Sequence, residues 1–102
     1  MQERILRKLF LGFVHIHILH HADQSPIYGA WMLEELETHG YHMSPGTLYP
    51  ILHQMAQMNL LQKTDQVVAG KLRKYYQITD EGKVILSEAK KKVQLMHQEI
   101  NL

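Results

Sequence analysis

Two features of this chain carry residues able to recognise a polymer of phosphates and bases. The first is Ser44-Pro45-Gly46-Thr47-Leu48-Tyr49-Pro50, running into Ile51-Leu52-His53-Gln54-Met55. It reads as a helix start. Ser44 is placed to cap, its oxygen accepting an orphan backbone N–H, and Pro45 suits the first helical position, where no donor is needed. Leu48, Ile51, Leu52 and Met55 follow at helical spacing and define a buried stripe. The opposite face holds Gly46, Pro50, His53 and Gln57, flanked by Thr47, Tyr49 and Gln54. It is uncharged, partly small and rich in hydrogen-bonding groups. A helix N-terminus with free N–H groups and a flat polar face suits phosphates and base edges. Ser44, Gly46, Thr47 and Tyr49 fall on the phosphate side of this reading, and His53, Gln54 and Gln57 on the base side. Without Arg, Lys or Asn on that face, direct readout is modest, with Gln54 or Gln57 able to pair with adenine and DNA shape supplying the rest.

The second feature is a run of cations, Lys71, Arg73 and Lys74, with Lys63 before them. On an extended hairpin they would neutralise phosphates along a backbone or minor groove. The competing reading is an edge hairpin whose lysines deter aggregation.

A third cluster offers different chemistry. His15, His17, His20 and His21 fall close together, and His17 and His21 are i and i+4 on one helix face. That spacing can hold a divalent metal, commonly zinc, copper or nickel. No His-Glu-x-x-His motif accompanies it, so a zinc protease is not implied. The alternative is histidines at a dimer seam or helix end, which protonation near pH 6 would loosen. No catalytic set is visible: Ser25, Ser44 and Ser87 lie where caps or helix surfaces explain them, and an enzyme is not expected.

The elements that must position these residues follow from periodicity and punctuation. Residues 2–21 predict a first helix, charged at its start and apolar on nearly every face from Leu9 onward. A small domain covers one side of such a helix, so Leu6, Leu9, Phe10 and Phe13 are expected at a subunit contact. Residues 23–26 predict a turn in which Ser25-Pro26 opens a second helix, running to about residue 39 with a stripe of Gly29, Met32, Leu33 and Leu36. Gly29 would allow close packing on the next helix, and Gly40 ends the second. Trp31 lies off this stripe and either packs under the first helix or lines a pocket for a flat organic effector. The third helix is expected over residues 45–59, with Pro50 removing one hydrogen bond and tightening the first turn.

Residues 60–67 and 73–79 predict paired strands with residues 68–72 as the tip, and Tyr76 rather than Tyr75 facing the core. Thr79 should cap a last helix over residues 80–100. Its stripe of Ile85, Ala89, Val93, Met96 and Ile100 extends past any domain body and so calls for a partner helix. The expected architecture is mainly α with a small β component (α+β): a winged helix-turn-helix with N- and C-terminal dimerisation helices. The expected division is one domain over residues 1–102, with end helices over 1–22 and 80–102 around a helix-turn-helix and wing over 23–79.

The motifs Tyr28-Gly29, Ser44-Pro45-Gly46-Thr47-Leu48-Tyr49-Pro50 and Gly70-Lys71-Leu72-Arg73-Lys74-Tyr75-Tyr76, in this order, resemble the PadR family of bacterial transcriptional regulators. The resemblance covers roughly residues 15–82. It implies a DNA-binding homodimer with the first and last helices at the subunit contact, most simply a repressor on an inverted-repeat operator. It also implies release by a small-molecule effector, and it adds Tyr28 to the DNA-contacting set. The family usually shows Gly-Arg-Pro-Arg-Lys-Tyr-Tyr at the hairpin, whereas this chain has Lys71 and Leu72 in place of Arg and Pro.

Composition is permissive. The 102 residues carry a net charge of +1, so any basic surface must come from local clustering. Hydrophobic content of 45% is ample for a core, and the absence of cysteine excludes a disulfide scaffold and a thiol catalyst. No signal peptide is evident, and the apolar run 9–19 is too short to span a bilayer, which together suggest a cytoplasmic protein without a membrane partner. The other class left open is a metal- or pH-responsive winged-helix interaction module using the His15–His21 cluster.

Overall fold

The computed structural model describes residues 2–101. In chain order the elements are α1 (Gln2–Gln24), β1 (Ile27–Tyr28), α2 (Gly29–Thr38), α3 (Pro45–Gln57), β2 (Leu61–Val68), β3 (Lys71–Ile78) and α4 (Asp80–Ile100). Met1 and Leu102, included in the expected end helices, lie outside the described residues. The strands form one antiparallel sheet in the order β1-β3-β2. A helix pair joined by a turn, then a β-hairpin, makes this a winged helix-turn-helix.

The core draws from every element. Val14, Ile18, Leu19 and Ala22 of α1 meet Met32 and Leu36 of α2 and Leu48, Leu52 and Met55 of α3. Ile27, Leu61, Tyr76, Ile78 and Leu86 close the cluster from the sheet and α4. The α3 stripe is buried as its spacing requires, except that Ile51 is only half-buried. Tyr76 is 7% exposed and faces the core, while Tyr75 is half-buried.

Several boundaries differ from expectation. α1 continues to Gln24 because the Ser25 N–H still reaches the His21 carbonyl at 3.2 Å. Ser25-Pro26 does not open α2. Ile27 and Tyr28 instead extend and pair with Tyr76 and Tyr75, since the free edge of β3 offers them a ladder that a lone helical turn could not match. α2 therefore starts at Gly29 and ends at Thr38, with Gly40 in the left-handed region at φ +86° beyond it.

Ser44 does not cap with its side chain. Its carbonyl takes the N–H groups of both Thr47 and Leu48, at 3.0 and 3.1 Å, the tight first turn that Pro45 and Pro50 favour. Its hydroxyl turns to Thr47 Oγ1 at 3.4 Å. α3 stops at Gln57, and Asn59 at φ 61° reverses the chain into β2. The hairpin tip is shorter than expected. Val68 pairs with Lys71, leaving Ala69 and Gly70 at φ 52° and 78° as a two-residue turn with the twist antiparallel strands prefer.

The last helix spans the expected residues. Thr79 Oγ1 accepts the Gly82 N–H at 3.0 Å and donates to the Asn59 carbonyl at 2.6 Å. One side chain thus caps α4 and ties it to the end of α3. Gly82 packs against the Leu60 carbonyl, where a Cβ would have no room.

Candidate nucleic-acid interface

α3 is held from behind by its buried stripe and from one side by α2. A Cβ on Gly29 would run into the Tyr49 ring, so the glycine lets the first turn of α2 close on α3. Tyr49 is left 45% exposed, fixed by its flank with its rim free. Gly46, Pro50, His53, Gln54 and Gln57 are all exposed, so the polar face read from the sequence is available.

The wing sorts its cations by the pleat. Lys63 pairs with Tyr76 and Asp65 with Lys74, which puts Lys63 and Lys74 on the face that includes buried Tyr76 and turns toward α3. Lys71 and Arg73 alternate to the other face with Tyr28 and Tyr75. There the Arg73 guanidinium carbon stands 4.2 Å from the centroid of the Tyr28 ring, and Tyr75 meets that ring edge-on at 5.5 Å. The stacking orients Arg73 while leaving its N–H edge free to donate. The four cations therefore form two pairs on opposite faces of the wing.

Between α3 and the wing lies a cleft of about 700 Å³, walled by Tyr49, Pro50 and His53 on one side and by Leu72, Arg73 and Lys74 on the other. Tyr28 and Gly29 form its end. Ser44 and Thr47 are not part of it. They line a separate hollow of about 430 Å³ between α3 and α1, with Arg7, Phe10 and His42. Arg7 and His42 thus stand near the start of α3, which sequence reasoning did not foresee. Nothing in the local sequence marks Arg7 for this position; only the packing of α1 brings it there.

His17 and His21 share a face of α1, as their spacing requires, and that face turns toward α2 rather than toward a free surface. His39 joins them: one ring nitrogen from each of the three can be chosen so that all lie within 4.8 Å of one another. Glu35 Oε1 stands 3.6 Å from His21 Nε2 and 3.4 Å from His39 Nε2. Burial lowers the affinity of His17 for a proton, helped by the nearby His39, His21 and His20. Burial lowers that of His21 as well, against the opposing pull of Glu35. Both shifts favour the neutral imidazole, and the contact of His21 with Glu35 is an ion pair only when His21 is protonated. Trp31 is half-buried and meets His21 edge-on at 5.4 Å, so it packs beneath α1.

The end helices leave apolar surface uncovered. Leu6, Leu9 and Phe10 are 47%, 53% and 48% exposed at the start of α1, and Ile85, Val93, Met96 and Ile100 are exposed along α4. Phe13 and Ala89 are half-buried. The second half of α1 is largely covered by its own domain, because α2, β3 and α4 all pack on it. The large apolar side chains that α1 leaves exposed are thus confined to its first half.

A recognition helix with an exposed polar face, a cationic wing beside it and long flanking helices define a winged-helix protein of the transcription-regulator class. The model of the "Transcriptional regulator PadR-like family" matches residues 18–88, and the chain belongs to that family. It is 39% identical over 95 residues to the transcriptional regulator Rv3488 of Mycobacterium tuberculosis, covering 93% of this chain and 89% of the relative. Among solved structures it is similar to a PadR-like transcriptional regulator from Bacillus cereus, with a TM-score of 0.83 and 31% identity over 92% of this chain and 93% of the other. A PadR family regulator from Eggerthella lenta matches with a TM-score of 0.82 and 26% identity, over 97% of this chain and 88% of that one. These proteins are transcriptional regulators, not enzymes. No helix among the described residues is long and apolar enough to cross a membrane.

Proposed function

We propose that this regulator is a cytoplasmic homodimer that binds an inverted-repeat operator and represses transcription until an effector releases it. The observation that carries the reading is the cleft between α3 and the wing, where Tyr49 and His53 face Leu72 and Lys74. A DNA backbone running beside α3 would pass between these walls. Thr47, Tyr49 and the N–H groups at Ser44 and Gly46 would take phosphates, His53, Gln54 and Gln57 would meet base edges, and Lys63, Lys71, Arg73 and Lys74 would neutralise the flanking backbone. Tyr28 contributes by holding Arg73.

Two such helices in a dimer would enter successive major grooves about 34–36 Å apart. The exposed apolar residues of α1 and α4 are the surface that would join the subunits. Trp31, beneath α1, is where a flat effector could alter that join. The test is fluorescence anisotropy with DNA from upstream of the protein's own gene, at two salt concentrations. Selective binding that weakens steeply with salt is expected. Equal, salt-insensitive affinity for all fragments would overturn the reading in favour of a protein-interaction module.

A further inference from the structure

The packing of α1 on α2 brings together two i,i+4 pairs from different helices. His17 and His21 come from α1, Glu35 from α2, and His39 from the residue that follows α2 as its C-cap. The geometry points to a divalent transition-metal site made of three imidazoles and one carboxylate: His17, His21, His39 and Glu35.

Three observations carry it. The first is the spacing of the donors. An ion bound tetrahedrally at about 2.0–2.1 Å keeps its ligand atoms about 3.4 Å apart. Glu35 Oε1 lies 3.4 Å from His39 Nε2 and 3.6 Å from His21 Nε2, close to that edge length and longer than a good N–H···O hydrogen bond. Glu35 is thus spaced from His21 and His39 as in a coordination shell, while one nitrogen from each of the three imidazoles lies within 4.8 Å of the others.

The second observation is orientation. The His17 ring stacks on His39 with centroids 4.9 Å apart and planes at 29°, and lies at 12° to His21. Binding an ion would require these rings to turn so that nitrogens now within 4.8 Å of one another draw closer.

The third is the surrounding wall. Trp31 and His20 meet His21 edge-on, and Tyr41 meets His17 edge-on at 5.4 Å. This aromatic collar restrains the orientation of the two α1 imidazoles, as outer-shell groups do in metal sites. Three imidazole nitrogen donors and one carboxylate select zinc, cobalt, nickel or copper over magnesium or calcium, which prefer oxygen ligands.

The ion would fasten α1 to α2, and α2 in turn holds α3 through Gly29 and Tyr49. The site does not depend on DNA binding, so its test is separate. The intact chelator-treated protein is titrated with Zn²⁺ and, in a second series, Co²⁺, following the fluorescence of Trp31, the sole tryptophan, and the visible absorption of cobalt.

One ion per chain is expected, with the intense absorption of tetrahedral Co²⁺ and a melting temperature that rises with Zn²⁺. His39→Ala alters a ring at the protein surface, so the variant should fold, and it should weaken Zn²⁺ binding at least about tenfold. Glu35→Gln should weaken it by a similar factor, and His97→Ala, on α4, should leave it unchanged. Wild-type affinity in His39→Ala, or equal losses in His39→Ala and His97→Ala, would overturn the site. An octahedral cobalt spectrum would overturn the four-ligand assignment.

Discussion

The Tyr49 ring lies where a Cβ on residue 29 would be, so the start of α2 and the exposed flank of α3 can close only because residue 29 is glycine. The same contact sets how Tyr49 leans over the cleft. Gly29→Ala should therefore push the ring outward and destabilise the fold by about 1–2 kcal/mol, the usual cost of an added methyl group in a tight site. DNA affinity should fall as well. In a double-mutant cycle with Tyr49→Ala the stability loss should largely disappear, because the obstructing ring is gone. Additive losses, read by urea unfolding, would mean that the two residues do not meet.

Lys74 lies on the wing face turned toward α3 and Lys71 on the opposite face. If both neutralise phosphates, Lys74→Ala and Lys71→Ala should each reduce the slope of log affinity against log salt by about 0.9. The loss should be uniform across DNA sequences. Gln54→Ala should instead change sequence preference with little change of slope. A full wild-type slope in Lys74→Ala would remove the inner face of the wing from the interface.

Leu9 and Phe10 are half-exposed on the first half of α1, and Phe10 meets Tyr41 of its own domain edge-on at 6.1 Å. Phe10→Glu and Leu9→Glu should leave the domain folded while placing a charge in an apolar subunit contact. Sedimentation velocity should show a monomer for each. A dimer of wild-type stability in both variants would locate the subunit contact elsewhere.

Gly82 is buried where α4 begins, against the Leu60 carbonyl, with Ile78 Cγ1 2.7 Å from the position of an added Cβ. The carbonyl belongs to the backbone and accepts the Thr79 N–H at 3.1 Å, so it has little freedom to yield. Gly82→Ala should destabilise by about 2–3 kcal/mol, at the upper end of overpacking costs, despite the better helix propensity of alanine. Thermal unfolding measures this directly, and an unchanged midpoint would contradict the contact.

Burial, reinforced by the Asp65 carboxylate, raises the pKa of the Tyr76 hydroxyl above its usual value. Lys63, its cross-strand neighbour, and Lys74, two residues before it on β3, are the cations on the same face of the hairpin. Since the folded pKa exceeds the unfolded one, the stability linked to this group is fully present below about pH 10 and is lost as pH rises through the folded pKa. Tyr76→Phe should flatten the fall in stability above about pH 10. A fall as steep as that of the wild type would show that other groups govern alkaline unfolding.

The local pattern of the chain already determined the helix-turn-helix and wing, the buried stripe of α3, the inward side of Tyr76 and the capping role of Thr79. Each depends on periodicity or on a side chain acting within its own turn, so neighbours in sequence suffice. Tertiary structure decided the rest. Ile27-Tyr28 became a strand because β3 had a free edge. Arg73 was oriented by Tyr28, Arg7 was carried to the start of α3, and His39 and Glu35 were brought to His17 and His21. No local rule reveals these meetings, because each joins residues whose separation along the chain is closed only when the core packs α1 against α2 and β1 against β3.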